Sequence, residues 1–135
     1  MLKLIIGVKG TGKTKSLINL VNTASAESKG DVVCIEKGAK LRYDVKSTVR
    51  LIDTDEYVVD NAQALYGFIA GSLASNHDIT DLFVDSALKI CKDDAAAFDN
   101  LVELTAKLAE KLNVNIVMTS SIPVEDASAI VNKYI

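Results

Sequence analysis

Short apolar runs alternate with amphipathic stretches along the whole chain. Leu2, Leu4, Ile5 and Ile6 form a compact run of strand type, and Leu17, Leu20, Val21 and Ala24 then recur at helical spacing. Ser25 to Gly30 is a polar stop. Asp31 to Glu36 is a strand rich in β-branched residues, ended by Lys37-Gly38. Ala39 to Thr48 is irregular and basic. Val49 to Asp53 is a short strand with a charge inside it, which suits a sheet edge, and it leaves through Asp53-Thr54-Asp55-Glu56. Asn61 to Ser75 predicts a helix with Ala62, Leu65, Ile69 and Leu73 in register. Gly67 and Gly71 either weaken it or mark close packing. Asn76-His77-Asp78 is a turn, and Asp81 to Asp85 a buried-type strand ending in a carboxylate. Asp93 and Asp94 are candidate caps for the next helix, with its stripe of Phe98, Leu101, Thr105, Leu108 and Leu112. Val114 to Met118 predicts a further strand, followed by Thr119-Ser120-Ser121. Pro123 opens a final helix through Tyr134, with Val124, Ala127 and Ile130 facing the core.

Strands alternating with helices predict βαβ units. The expected fold is α/β: a three-layer α/β/α sandwich on a mainly parallel sheet of four to five strands, in one domain over residues 1–135. Crossovers should be right-handed. Ligands of such sheets bind beyond the carboxyl ends of the strands. That rule gathers Gly7 to Thr14, Glu36, Asp53, Asp85 and Thr119 to Ser121 on one edge.

Composition narrows the class further. A hydrophobic fraction of 49% excludes a disordered chain. No apolar run approaches the roughly 18 residues of a membrane span, and the N-terminus lacks a long signal-type apolar segment. Cys34 and Cys91 lie in or beside apolar segments without metal-ligand spacing, so buried, reduced thiols and a cytoplasmic location are expected. The net charge of −3 provides no global field for nucleic acid. Locally, Lys37, Lys40, Arg42, Lys46 and Arg50 cluster, including both arginines of the chain. This stretch is either a solvated surface loop or one that faces a phosphate or a partner. His77, alone in a polar turn, reads as a surface residue.

The loop after the first strand carries the chemistry. Gly7-Val8-Lys9-Gly10-Thr11-Gly12-Lys13-Thr14 fits Gly-x4-Gly-Lys-Ser/Thr, and Lys15 continues it into a helical pattern. Glycines let the backbone turn sharply and approach an anion, and successive N–H groups with the helix end form an anion nest. A glycine-rich turn that binds nothing is the structural alternative. The motif and its strand–helix context resemble the P-loop NTPases. That resemblance implies that Gly7 to Lys15 cradle a nucleoside triphosphate, that Lys13 reaches its β and γ phosphates, and that Thr14 holds Mg2+.

Members of that superfamily carry a second acidic ligand at the end of a hydrophobic strand. Leu82-Phe83-Val84-Asp85 has the stronger apolar run, and Arg50-Leu51-Ile52-Asp53 is the competitor. Asp85 is therefore the expected partner of Thr14 on the metal, with helix capping as its alternative. An extra strand between the loop strand and the Asp85 strand resembles the RecA-like and AAA branch, where Thr119 to Ser121 would match a polar sensor. Many of its members place Glu directly after the Asp, whereas this chain has Ser86. The resemblance thus implies a weak or partner-activated ATPase, with Lys13 and Asp85 catalytic and Glu36 as an alternative base. Arg42 or Arg50 would be a charge-stabilising finger, in cis or from a neighbouring subunit. Lys40-Leu41-Arg42-Tyr43 also resembles a segment of thymidine kinases, which keeps a nucleoside or other small-molecule kinase in view. A non-hydrolysing nucleotide-binding interaction module is the third reading. No Asn-Lys-x-Asp motif appears, which favours ATP over GTP. A protein partner or a homo-oligomer fits partner activation, and nucleic acid is the less favoured ligand of the basic stretch.

Overall fold

The computed structural model describes all of residues 1–135. Five parallel strands form one sheet: β1 (Leu2–Ile6), β2 (Asp31–Glu36), β3 (Arg50–Asp53), β4 (Ile79–Val84) and β5 (Asn115–Ser120). Their spatial order is β1-β5-β4-β2-β3. Every pairing is parallel, with Leu4 opposite Met118, Leu82 opposite Ile116 and Val33 opposite Leu82. The fold is therefore α/β on a five-stranded parallel sheet. No helix is long and apolar enough to cross a membrane.

Strand side chains alternate between faces, and two cores result. Val33, Ile35, Leu82, Val84, Ile116 and Met118 join Leu2 and Leu4 on one face. That face meets Leu65, Ile69 and Leu73 of α2 (Ala62–Ser75) and Phe98, Leu101 and Val102 of α4 (Ala95–Leu112). The intervening residues Val32, Cys34 and Phe83 point the other way, against Leu17 and Val21 of α1 (Lys13–Glu27). The same second core takes in Leu41, Val45 and Val49. Their spacing of four residues fastens the irregular, basic segment 37–49 to the sheet as a strap.

Local signals account for most boundaries. Asn61 and Asp94 cap α2 and α4 by accepting from the Ala64 and Ala97 amides, whereas Asp93 adopts a left-handed turn conformation and caps nothing. β4 starts two residues before its predicted start, because Ile79 already pairs with Asp31, ahead of a register shift that sets Val32 opposite Asp81. Three expectations change. Leu20 and Leu112 stand 38% and 44% exposed, so the stripes of α1 and α4 are narrower than predicted. A short helix α3 (Ala87–Ile90) follows β4. The final helix does not form as one piece: a 3-10 turn at Val124–Asp126 is followed by α5 (Ala129–Asn132). Ala127 is extended and Ser128 caps the second piece through the Val131 amide, while Val124 is 65% exposed.

A Cβ added at Gly67 or Gly71 would have no heavy atom within 4 Å, which rules out close packing as their purpose. Both sit on the exposed side of α2. Each Gly→Ala change is therefore expected to stabilise the protein by about 0.5–1 kcal/mol, through helix propensity and reduced freedom of the unfolded chain. Urea unfolding of the single variants measures it; a loss of stability would show an unseen packing constraint.

Candidate anion-binding site

The carboxyl ends of β1, β5, β4 and β2 open into a cleft of about 700 Å3. The glycine-rich loop leaves β1 on one side. Gly7 is buried with φ 154°, and a Cβ there would lie 2.7 Å from Thr11 Oγ1, so the tight turn excludes a side chain. Gly12, at φ 83°, turns the backbone into α1. Helix α1 has no acidic residue in its first turn and no side-chain cap, so its N-terminal amides face the cleft without a competing carboxylate. Lys13 Nζ donates to Val8 O at 2.9 Å and Thr11 Oγ1 to the same carbonyl at 2.8 Å, folding the loop over itself.

Asp85 lies one residue beyond β4, 9% exposed, and its amide extends the ladder to Ile35 O. Thr14 Oγ1 lies 3.2 and 3.3 Å from its two carboxylate oxygens, bridging 71 positions of sequence. Thr119 Oγ1 donates to Asp85 Oδ1 at 2.7 Å and accepts from the Ser86 amide at 2.8 Å. Ser120 Oγ accepts from Leu88 N. The polar end of β5 is thus the brace that fixes the Asp85 carboxylate and the turn after it.

Charge in the cleft opposes that of the molecule. The net charge is −3, yet Lys9, Lys13, Lys15, Lys40 and Lys89 line the cleft against two carboxylates, Asp85 and Asp93. Leu41 and Leu88 are its only apolar side chains. A concave site of this sign concentrates anions. The donor set also suits a hard cation: one carboxylate and one hydroxyl converge, leaving further positions for water or phosphate oxygens.

Two further carboxylates lie elsewhere. Glu36 is 2% exposed and absent from the cleft wall; its two oxygens accept from the Lys40 and Leu41 amides at 3.0 and 3.2 Å. Burial raises its pKa, with the Asp85 and Asp53 charges adding to the shift and the two backbone bonds opposing it. It holds the strap. Asp53 accepts from Gly38 N and Asp55 N, again tying loops together. Arg50 begins β3, at the opposite end of that strand from Asp53. A finger in cis from Arg50 is therefore excluded by geometry. Arg42 lies over the Tyr43 ring at 5.0 Å, outside the cleft wall.

Both cysteines are free and buried. Burial pushes both thiols up to about 12, helped at Cys34 by the charges of Glu36 and Asp85 and at Cys91 by Asp94. His77 is exposed in its turn. Lys89 and Asp93 are cleft residues that no sequence signal placed at the site, Asp93 reading only as a candidate cap, since they depend on the unpredicted α3 and the turn after it. Compared with protein-family models and with curated proteins, the chain matches none.

Proposed function

We propose that this chain is a P-loop protein that binds Mg2+ and ATP, and hydrolyses the nucleotide weakly or when a partner activates it. The observation that carries the reading is the meeting of Thr14 and Asp85 at 3.2 Å in the cleft that Lys13 lines. Phosphates would lie on the Gly7–Lys15 backbone, with Lys13 neutralising the charge that develops at the terminal phosphate. Thr14 and Asp85 would hold Mg2+, which supplies charge neutralisation between phosphate oxygens. The position of β5 between β1 and β4 supports the three-layer fold of the RecA-like and AAA branch. Buried, unpaired cysteines support a reducing, cytoplasmic setting.

Weak hydrolysis follows from what surrounds Asp85. The next residue is Ser86, and Glu36 is turned into the strap. The residue after Asp85 is therefore no carboxylate, and Glu36 is engaged by the Lys40 and Leu41 amides, so slow unassisted turnover is the expectation. Arg42, exposed on the strap, would be the residue that completes the site of a second copy or a partner. A small-molecule kinase is the second reading, favoured by the extension of the cleft past Asp85 to Lys89 and Asp93. ADP release on a panel of nucleosides separates it from the ATPase.

The test is calorimetric titration with ATP and GTP, with and without Mg2+. Wild type should bind ATP at one site and more tightly with Mg2+; Asp85→Ala should lose the Mg2+ dependence. Equal affinity with and without Mg2+ in wild type would overturn the assignment of Thr14 and Asp85.

A further inference from the structure

The strap 37–49 is basic, yet it is built as part of the sheet's end. Leu41, Val45 and Val49 are 3%, 8% and 7% exposed in the second core. Asn22 of α1 bonds both sides of the strap's far turn, donating to Asp44 O and accepting from Lys46 N. At the near end the Glu36 carboxylate takes the Lys40 and Leu41 amides, while Asp53 takes that of Gly38. Burying a carboxylate is costly unless its oxygens are satisfied. Here both are satisfied, by consecutive amides of the strap.

The consequence is the position of Lys40. Its backbone is fixed by Glu36, its side chain is exposed, and it lines the same cleft as Lys13 and Asp85. The strand order brings it in from β2, on the other side of Asp85 from β1 and β5. The glycine-rich loop enters from β1. A phosphate chain lying on that loop and reaching the Thr14–Asp85 pair would therefore direct its terminal group toward the strap.

We propose that Lys40 is a second phosphate-binding lysine, which contacts the terminal phosphate opposite Lys13, and that Glu36 is the positioning residue that aims it. This rests on the nucleotide reading above. The strap then distinguishes triphosphate from diphosphate, and it does so pre-ordered: three buried apolar anchors and a two-amide clamp hold it before ligand arrives. Pre-ordering lowers the entropic cost of the contact.

The experiment compares Mg2+-ATP with Mg2+-ADP binding in wild type, Lys40→Ala, Lys40→Arg and a Glu36→Ala background. Lys40→Ala should weaken ATP about tenfold, as befits loss of one charge-assisted bond, and weaken ADP much less. Lys40→Arg, which keeps the charge, should retain most of the ATP preference. In the Glu36→Ala background, Lys40→Ala should change the ATP-to-ADP ratio little further, because the lysine has already lost its aim. Lys40 is exposed, so Lys40→Ala tests the contact even where Glu36→Ala impairs folding. An unchanged ratio in Lys40→Ala, with wild type binding ATP and Lys13→Ala not, would overturn this inference alone. Wild type that binds neither nucleotide would overturn the nucleotide reading as well.

Discussion

Lys13→Ala should weaken Mg2+-ATP binding by roughly 10- to 100-fold while leaving the unfolding midpoint nearly unchanged. A hydrogen bond to a charged group contributes about 1.5–3 kcal/mol, and each 1.4 kcal/mol is tenfold in affinity. The stability side follows from the contacts. The ammonium makes one bond, to Val8 O at 2.9 Å within the loop, and no ion pair holds it to the rest of the molecule. Truncation therefore removes a charge from the cleft without opening a core. Calorimetric titration beside thermal unfolding measures both. Affinity equal to wild type would remove Lys13 from the phosphate site, and the nucleotide reading would fall with it.

Phe98→Ala should have the largest effect on stability, a loss of about 3–5 kcal/mol. Phe98 is 1% exposed and is the largest fully buried side chain in the protein. It sits in the first turn of α4, whose buried face packs on the main core with α2 on the same side of the sheet. Removing the ring leaves a cavity that the five strands, fixed by their ladder, cannot collapse to fill. Against a total of about 5–15 kcal/mol for a domain of this kind, that is a large fraction. Urea unfolding should show a much lower midpoint with an unchanged slope; a loss below about 1 kcal/mol would mean that the site repacks.

The two core faces were legible because strand and helix periods are both visible in the chain. β2 runs from Asp31 to Glu36 as its β-branched run predicts, and the Asn61 cap and the Ala62, Leu65, Ile69, Leu73 stripe define α2. The C-terminal segment was not legible as it stands. Pro123 and the following apolar residues fit a helix by period, but Ser128 competes as a cap and restarts the helix, leaving Val124 in solvent. Helix α3 was missed because four residues carry no periodic signal.

The candidate site divides in the same way. The loop and Asp85 come together because the parallel topology brings strand ends to one edge, a rule that sequence order alone can apply. Of the two strand-end carboxylates, Asp85 meets Thr14, whereas Asp53 ties Gly38 and Asp55. The orientation of Glu36 is a matter of tertiary path. It ends β2 beside the cleft, but the strap crosses next to it and supplies two amides, so its carboxylate turns there. A signal for that path was present in the four-residue spacing of Leu41 and Val45, inside a segment otherwise read as irregular, and of Val49, read as the start of the next strand.

The most direct measurement is a titration of wild-type protein with ATP in the presence and absence of Mg2+. The arrangement of Lys13, Thr14 and Asp85 predicts saturable binding at one site that Mg2+ tightens and that inorganic phosphate weakly competes against. No saturable binding at millimolar ATP, or binding indifferent to Mg2+, would contradict it.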